Sequence, residues 1–522
     1  MVRLRQAPFL WLALIAVLGA LLLLPNMRYG IGISPDSLAY LAMAEAVQQG
    51  GIVQLVQTGT IHFPPFYGIL LALPGFDPQT TAVGLHALLV ALSIGLIGLL
   101  IYQTTDANLW ATLGGAGVVA MATPIYETHI MLLTEPLFLT LTLTTLWLLG
   151  QAMREQQSRW LVLAGVTSGL GFSTRYVGLT LVLTGGLAVL ICSQRTWRGR
   201  ILDGLLFSGL AVLPVSLWLF RNTLVTGRST TSTLAIYPIG MQEITQFLDT
   251  LSVWLVPFGV RLLGLDTVLP GIERVLVLIL LGSVLGGVLL LNQHYPLQVR
   301  QRMQQHPALL IVLLFGLTYV AFVVFSRVFL YSNIPFDTRL LLPLFPVLVI
   351  WGSVLTHAIW HALPPVGWLR WLRRAVVAGC VLFLLAYALR GTLWLRACYA
   401  GTGCYLGYAA PAWRTSETLA VILSLQAHHP VYTNQAYAMR FLSDATVYDL
   451  PIKITTLTGE PNPNYPDQIA RLQQALDEQG AVLAYFDEAQ TPHMPTLAEL
   501  QAAGVSLRLW QDTADGALYV AE

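Results

Sequence analysis

The chain returns again and again to apolar runs of the length that crosses a lipid bilayer. A hydrocarbon core takes about 20 apolar residues per helix. Runs of that kind fall near residues 8–25, 80–102, 109–124, 132–152, 160–174, 177–193, 201–221, 274–292, 307–326, 340–361 and 375–391, about eleven in all. The runs 160–174 and 177–193 are parted only by Thr174-Arg175-Tyr176 and also read as one long or re-entrant unit. At 56% hydrophobic and 10% charged over 522 residues, the chain is far more apolar than a soluble core requires. The fold class expected is therefore mainly α, a polytopic membrane helical bundle. Its first run follows Arg3 and Arg5 and ends in LLLLPNM without a small-x-small cleavage site, which reads as an uncleaved first span with the N-terminus cytoplasmic.

Charge placement supplies an orientation. A net charge of +1 leaves no basic surface for nucleic acid, and Lys453 is the sole lysine, so arginine carries the positive charge. Alternating from an inside N-terminus, the inner loops hold Arg154 and Arg159, then Arg195, Arg198 and Arg200, then Arg300 and Arg302, then Arg370, Arg373 and Arg374, as short cytoplasmic loops should. The outer side receives a first loop, 26–79, and a second large segment, 222–273, whose apolar patch Leu248–Leu265 is broken by Pro257, Gly259 and Arg261 and suits an interfacial or re-entrant helix. Composition changes after Leu395. Residues 396–522 alternate short apolar strands (431–433, 481–486) with helical patterns (414–428, 466–479) and read as a small extracytoplasmic α/β domain on a membrane domain of residues 1–395. Cys398 and Cys404 share a polar segment where an extracytoplasmic disulfide is plausible, whereas Cys192 and Cys380 sit inside apolar runs. The expected location is the plasma membrane, with membrane lipids as surroundings.

The polar stretch Arg28–Tyr67 holds the earliest acid, Asp36, in the turn Ser34-Pro35-Asp36-Ser37, followed by a helical pattern over Leu38–Gln49 that ends at Gly50-Gly51. Ser34 or Asp36 supplies its cap, and its partly apolar face suits a helix lying on a membrane surface. A carboxylate at the membrane rim can take a proton from an incoming hydroxyl. It can equally serve only as a capping aspartate. The second half of the stretch, His62-Phe63-Pro64-Pro65-Phe66-Tyr67, is a rigid aromatic segment able to wall a groove or simply to turn the chain.

The Pro35-Asp36-Ser37-x-x-Tyr40 turn after the first span and the His62-x-Pro64-Pro65-x-Tyr67 stretch resemble those of the GT-C superfamily, in the prokaryotic branch related to protein O-mannosyltransferases and lipid A aminoarabinose transferases. Thr134-Glu135-Pro136-Leu137, Thr174-Arg175-Tyr176 and Asp337-Thr338-Arg339 through Pro343, each at the mouth of a span, support the resemblance, which covers approximately residues 1–390. It implies a polyprenyl-phosphate-linked sugar donor, work on the extracytoplasmic face, and a catalytic acid in the first outer loop, here Asp36. Many relatives carry two adjacent acids there. This chain has Asp36-Ser37, so the resemblance brings no metal with it.

The reaction expected is an inverting transfer of a sugar from that donor to a lipid, glycan or protein acceptor whose identity the sequence does not give. Negative charge grows on the departing lipid phosphate, so cations at the rim should stabilise the transition state. Arg175 and Arg339 are the candidates, because guanidinium suits bidentate contact with phosphate. Each is also in place to snorkel to lipid head groups. Tyr40, His62, Tyr67, Glu127, His129 and Glu135 are expected to support the site, with Glu135 at the rim or facing a polar cavity. No cofactor is required by this chemistry. A divalent metal is left open, Glu127-x-His129 being ligand types without further ligands. Trp254, Tyr331 and Phe336 are candidate stacking platforms or interfacial aromatics. The tail, with Asn434, Tyr437 and Asp444, is expected to recognise the acceptor or cover the site. A transporter or lipid flippase is the alternative, but it needs charge at membrane depth, and here the acids gather in outer loops. A polysaccharide polymerase or ligase on another membrane fold would share the lipid-linked chemistry.

Overall fold

The structure, a computed structural model, describes residues 2–58, 61–231, 234–256, 271–280, 282, 305–330, 335–362, 366–367, 369–425, 429–455, 459–487 and 491–522, with side chains from residue 9 onward. Each expected apolar run except 274–292 coincides with a helix. In that run the described part, 274–280 and 282, is helical and the rest lies outside the described residues, as do Tyr331, Arg300, Arg302, Pro257, Gly259 and Arg261.

The chain opens with α1 (Val2–Leu23), then α2 (Pro35–Gln57), α3 (Phe66–Ala72), α4 (Pro78–Thr104), α5 (Leu109–Ala120) and α6 (Thr123–His129). It continues with α7 (Glu135–Glu155), α8 (Ser158–Phe172), α9 (Leu179–Cys192), α10 (Trp197–Thr226) and α11 (Met241–Leu255). The last helices of the bundle are α12 (Pro307–Phe329), the single turn α13 (Thr338–Leu341), α14 (Leu344–Ala362) and α15 (Leu369–Ala400). Seven described helices are long and apolar enough to cross a membrane. An eighth results if α5 and α6, bent by 49° at the break Met121-Ala122, count as one. The protein is a multi-pass membrane protein. Helices α8 and α9, at 15 and 14 residues, are shorter than a full span.

Helix α7 is the most enclosed of the seven. Several of its threonines pair their hydroxyls, as an apolar interior favours, although Thr142 Oγ1 is buried without a partner among the described residues. Thr140 and Thr144 donate back to the carbonyls of Pro136 and Thr140, and Thr140 and Thr145 also meet Ser93 and Thr167 at 3.0 Å. Helix α8 approaches α10 so closely that a Cβ on Gly169 would lie 2.9 Å from the Leu210 carbonyl. Small residues allow this spacing in membrane bundles.

Helix α15 ends in the disulfide Cys398–Cys404. Beyond it lies a five-stranded sheet of order β2-β1-β3-β5-β4, with β1 (Val431–Thr433), β2 (Val447–Asp449), β3 (Val482–Phe486), β4 (Arg508–Thr513) and β5 (Gly516–Val520). The strands β1, β2 and β3 are parallel, and β5 and β4 antiparallel. On one face, α16 (Glu417–Ser424) and α17 (Ala436–Leu442) pack with Val431, Ala484 and Phe486 into the same apolar core as the bundle. On the other face, α18 (Tyr465–Gln479) and α19 (Leu497–Ala502) close a separate core around Leu472 and Leu483. The expected helices 414–428 and 466–479 and both expected strands are present, though the first helix is shorter.

Candidate active site

Helix α2 begins at Pro35, earlier than the expected Leu38. Ser34 is its N-cap and Ser37 answers it: the Ser34 amide donates to Ser37 Oγ at 2.9 Å and the Ser37 amide to Ser34 Oγ at 3.4 Å. Proline suits the first helical position because its missing N–H would be unpaired there. Asp36 is thus released from capping. Ser37 Oγ also donates to the Leu132 carbonyl at 2.7 Å, so the residue standing where relatives are implied to have a second acid fastens α2 to the chain before α7. The helix breaks at Gly50 and Gly51, the latter at φ +66°, and resumes to Gln57. Tyr40, Met43 and Ala44 are buried in the bundle, which corrects the reading of α2 as a helix resting on a membrane surface.

Three distant segments pair just ahead of the site. Gly32 donates to Ile130 O at 2.7 Å and Leu132 to Gly32 O at 2.8 Å, while Ile33 donates to Leu406 O at 3.1 Å and Tyr408 to Ile33 O at 2.8 Å. Both bridges, Gly32 with Met131 and Ile33 with Gly407, are parallel. Parallel plies leave in one direction, so Asp36, Glu135 and Tyr408 emerge at the same edge. Gly407 has φ +54°, and a Cβ there would fall 1.9 Å from Ile33 O.

At that edge Asp36, Arg339, Glu135 and Arg175 form an alternating chain of charge. Arg339 pairs through Nη2 with Asp36 Oδ2 and through Nε with Glu135 Oε1, and Arg175 Nη1 reaches the same Glu135 oxygen at 2.6 Å. Glu135 is buried at 3% side-chain exposure, whereas Asp36 (31%), Arg339 (37%) and Arg175 (21%) keep open faces. Thr134 completes the ring. Its hydroxyl accepts from Arg175 Nη1 at 3.0 Å and lies 3.3 Å from Glu135 Oε2 and 3.4 Å from the Tyr40 hydroxyl. Burial is the largest influence and opposes the charge on both arginines, yet Glu135 together with Tyr40, and with Asp36 at Arg339, raises each above the ordinary guanidinium value, Arg339 most. Burial, helped by the Asp36 and Glu135 carboxylates, pushes the Tyr40 phenol well up, so it stays protonated.

Local elements explain the convergence. Arg175 sits in an extended residue between α8 and the 3₁₀ turn Tyr176–Gly178. The His62–Tyr67 segment docks on that turn, with the Phe66 amide donating to Ser173 O at 3.0 Å and the Tyr176 hydroxyl to Ile61 O at 3.2 Å. Phe63 and Tyr67 pack on the Tyr40 ring at 4.9 and 5.3 Å. His62 lies farther out, its Nδ1 at 2.9 Å from Thr231 Oγ1. Burial lowers its pKa, against a smaller opposing pull from Asp36. Arg339 lies on α13, whose N-cap is Asp337, accepting from the Leu340 amide at 2.9 Å. The Tyr319 hydroxyl of α12 holds that turn by donating to Leu340 O at 2.6 Å.

The structure thus gathers Asp36, Tyr40, Glu135, Arg175 and Arg339, with Tyr67 behind Tyr40 and His62 at the margin. Two expected members stand elsewhere. His129 is wholly buried, with Nδ1 2.6 Å from Ile125 O, and Glu127 on α6 lies within electrostatic reach of Arg390 on α15. Among the described residues no group of His, Cys, Asp or Glu has metal-binding geometry. Trp254 and Phe336 are buried against Phe345 and Phe247, so neither is a stacking platform. Sequence reasoning missed Thr134 as a hub, although it opens the Thr-Glu-Pro-Leu motif. It also missed Tyr408, which lies within electrostatic reach of Asp36, Tyr405, Tyr437 and Asp449 and carries no local signal.

The bundle with its small C-terminal α/β unit has the fold of solved membrane proteins that include ArnT and the arabinofuranosyltransferase AftD. Residues 64–218 match the family of dolichyl-phosphate-mannose-protein mannosyltransferases. The structure is similar to the crystal structure of ArnT from Cupriavidus metallidurans in the apo state, with TM-score 0.55 and 13% identity over 98% of this chain and 97% of that one. It is similar also to ArnT from the same organism bound to undecaprenyl phosphate, with TM-score 0.52 and 14% identity over 98% and 97%. A mycobacterial arabinofuranosyltransferase, AftD, matches at TM-score 0.50 and 16% identity, over 98% of this chain and 40% of that one. No curated protein matches the sequence.

Proposed function

We propose that the protein is an inverting glycosyltransferase that moves a sugar, a hexose or a pentose, from a polyprenyl phosphate to a lipid, glycan or protein acceptor. The observation that carries this is the chain Asp36–Arg339–Glu135–Arg175, in which one buried carboxylate holds two guanidiniums with their other faces open. The acceptor hydroxyl attacks the anomeric carbon while Asp36 takes its proton. The bond from that carbon to the phosphate oxygen breaks, and the electron pair leaves with the lipid phosphate, where Arg175 and Arg339 meet the growing charge. One displacement inverts the configuration. Glu135 keeps both guanidiniums in place before the donor arrives, so little reorganisation is needed when charge develops. The undecaprenyl phosphate bound to one ArnT structure supports a lipid phosphate as the leaving group. No step draws on a metal.

In this reading about eleven spans cross the plasma membrane. The N-terminus is cytoplasmic, and the charge cluster and residues 396–522 are extracytoplasmic. The tail would then meet the acceptor through Tyr408, Tyr437 and their neighbours. The test is release of polyprenyl phosphate by purified protein given a panel of prenyl-phosphate sugars. Asp36→Asn is expected to lower turnover by about 10²–10⁴-fold while the protein still inserts and folds. Full transfer by that variant would remove Asp36 as the base.

A further inference from the structure

The pairing that aligns the charge cluster also sets a group of phenols beside it, whose partner the proposed reaction leaves open. Tyr405 and Tyr408 flank the ply in which Leu406 O accepts from the Ile33 amide and the Tyr408 amide donates to Ile33 O. Tyr437 lies in the first turn of α17, which packs against α2, the helix whose first turn carries Asp36. Tyr405 is 71% exposed and Tyr437 45%, whereas Tyr408 is only 8% exposed. The Tyr408 hydroxyl is nevertheless neither hydrogen-bonded nor sealed off among the described residues. It stands within electrostatic reach of Tyr405, Tyr437, Asp36 and Asp449. Burial, with these neighbours, pushes its pKa up, so the phenol keeps its proton. Arg440 completes the surface. Its Nη2 donates to Asp449 Oδ2 at 2.6 Å, and its guanidinium lies over the Tyr437 ring, 5.5 Å from the centroid.

We infer that this surface binds a saccharide, so that the acceptor is a glycan whose attacked hydroxyl lies toward Asp36. The inference rests on the transfer proposed above. A ring as covered as Tyr408 holds its hydroxyl in one direction, and here that hydroxyl is left free to bond a ligand. A sugar has C–H faces and a rim of hydroxyls. Tyrosine offers its electron-rich ring face to the first and its O–H to the second, and a carboxylate already fixed by an arginine, as Asp449 is, still has lone pairs for sugar hydroxyls. An extended peptide would instead add to a free sheet edge. The edge on this side is β2, where Arg440 Nε already donates to Val447 O at 3.4 Å. An acyl chain calls for a continuous aliphatic track, whereas the side chains gathered here end in hydroxyls and charges.

The test uses the full chain in detergent, with short gluco-, manno-, galacto- and arabino-oligosaccharides, a serine- and threonine-rich peptide, and dioleoyl phosphatidylglycerol as probes. Binding is read by saturation-transfer NMR from the aromatic protons of the protein and by thermal shift, since a ligand of the folded state raises the midpoint. At least one oligosaccharide is expected to bind and to receive saturation on its C–H protons, with peptide and lipid binding more weakly. Tyr405→Ala and Tyr437→Ala are each expected to weaken it about 3- to 10-fold. Tyr408→Phe keeps the packed ring and removes only the hydroxyl, and is expected to weaken it by about the same factor. In turnover with a prenyl-phosphate sugar these variants should raise the acceptor KM and change kcat less. If an alanine variant does not fold, Tyr408→Phe carries the comparison. No binding by any oligosaccharide, tighter binding of peptide or lipid, or binding that survives all three substitutions would each overturn the inference. Saccharide binding that the variants abolish, without release of prenyl phosphate from any donor, would uphold the saccharide site and overturn the proposed transfer.

Discussion

Glu135 is the residue on which the arrangement of the site turns. It is the most buried member of the charge chain and the only one that touches both arginines. Removing one partner from a buried ionic group leaves the others uncompensated, at about 3–5 kcal/mol for a fully buried pair. The part-exposed arginines recover some hydration here, so Glu135→Gln is expected to cost about 2–3 kcal/mol. It should also weaken donor binding, because the two guanidiniums then repel one another. Thermal unfolding and the donor KM measure the two effects, and an unchanged midpoint with unchanged KM would deny Glu135 its holding role. Glu135, Arg175 and Arg339 were legible in the sequence because each sits at the mouth of an apolar run, where a charge needs a reason, and Asp36 because it is the earliest acid of the first outer loop. Their convergence was not. Asp36 and Arg339 are 303 residues apart, and nothing short-range relates them. Glu127 and His129 were misassigned because a loop was expected where a short helix forms, and positions i and i+2 of a helix do not face together. Trp254 and Phe336 were ambiguous for another reason: an aromatic at a helix end has the same composition whether it meets lipid, sugar or core.

Among the elements, the three-ply ladder of Gly32–Ile33, Ile130–Leu132 and Leu406–Tyr408 does the aligning. Its hydrogen bonds have no periodic signature, since each ply is only a few residues long. Gly407 is its weak point, being held at φ +54° with no room for a Cβ against Ile33 O. Gly407→Ala is expected to cost at least about 1–3 kcal/mol and to displace Tyr408. The result should be a loss of transfer larger than the loss of folded protein. Equal losses would mean that the ladder supports the fold without aligning the site. The helices themselves were readable, because apolar length is a strong signal. Their ends were less so: α2 starts early through the Ser34–Ser37 exchange and α5–α6 bends at Met121-Ala122, just before Pro124.

At the scale of the whole molecule, the sheet shares one core with the bundle through α16 and α17, and Asp515 ties the β4–β5 turn to the start of α16. It accepts from Ser416 Oγ at 2.5 Å and from the Thr418 amide and hydroxyl at 3.0 and 2.8 Å, at the start of α16. Burial works against its charge, yet the bonds from Ser416 and Thr418 prevail and hold its carboxyl below the usual range. Its contribution is therefore fully present above the unfolded-chain value of about 3.9 and is lost as pH falls through the lower folded value. Hydrogen exchange in α16 should accelerate over that acid window in the native protein. In Asp515→Asn it should be faster at neutral pH and lose this acid step. A variant that keeps the native profile would place the acid sensitivity elsewhere.

The order in which the ladder's plies are made has its own consequence. Two come from the first quarter of the chain and the third only after the last long helix, so a ribosome delivers them far apart in time. A nascent chain already threaded through the lipid has its acid and its first arginine, yet lacks the backbone that lines them up. On the proposed function, a chain halted before Leu406 is therefore expected to transfer no sugar, whatever part of it has already inserted.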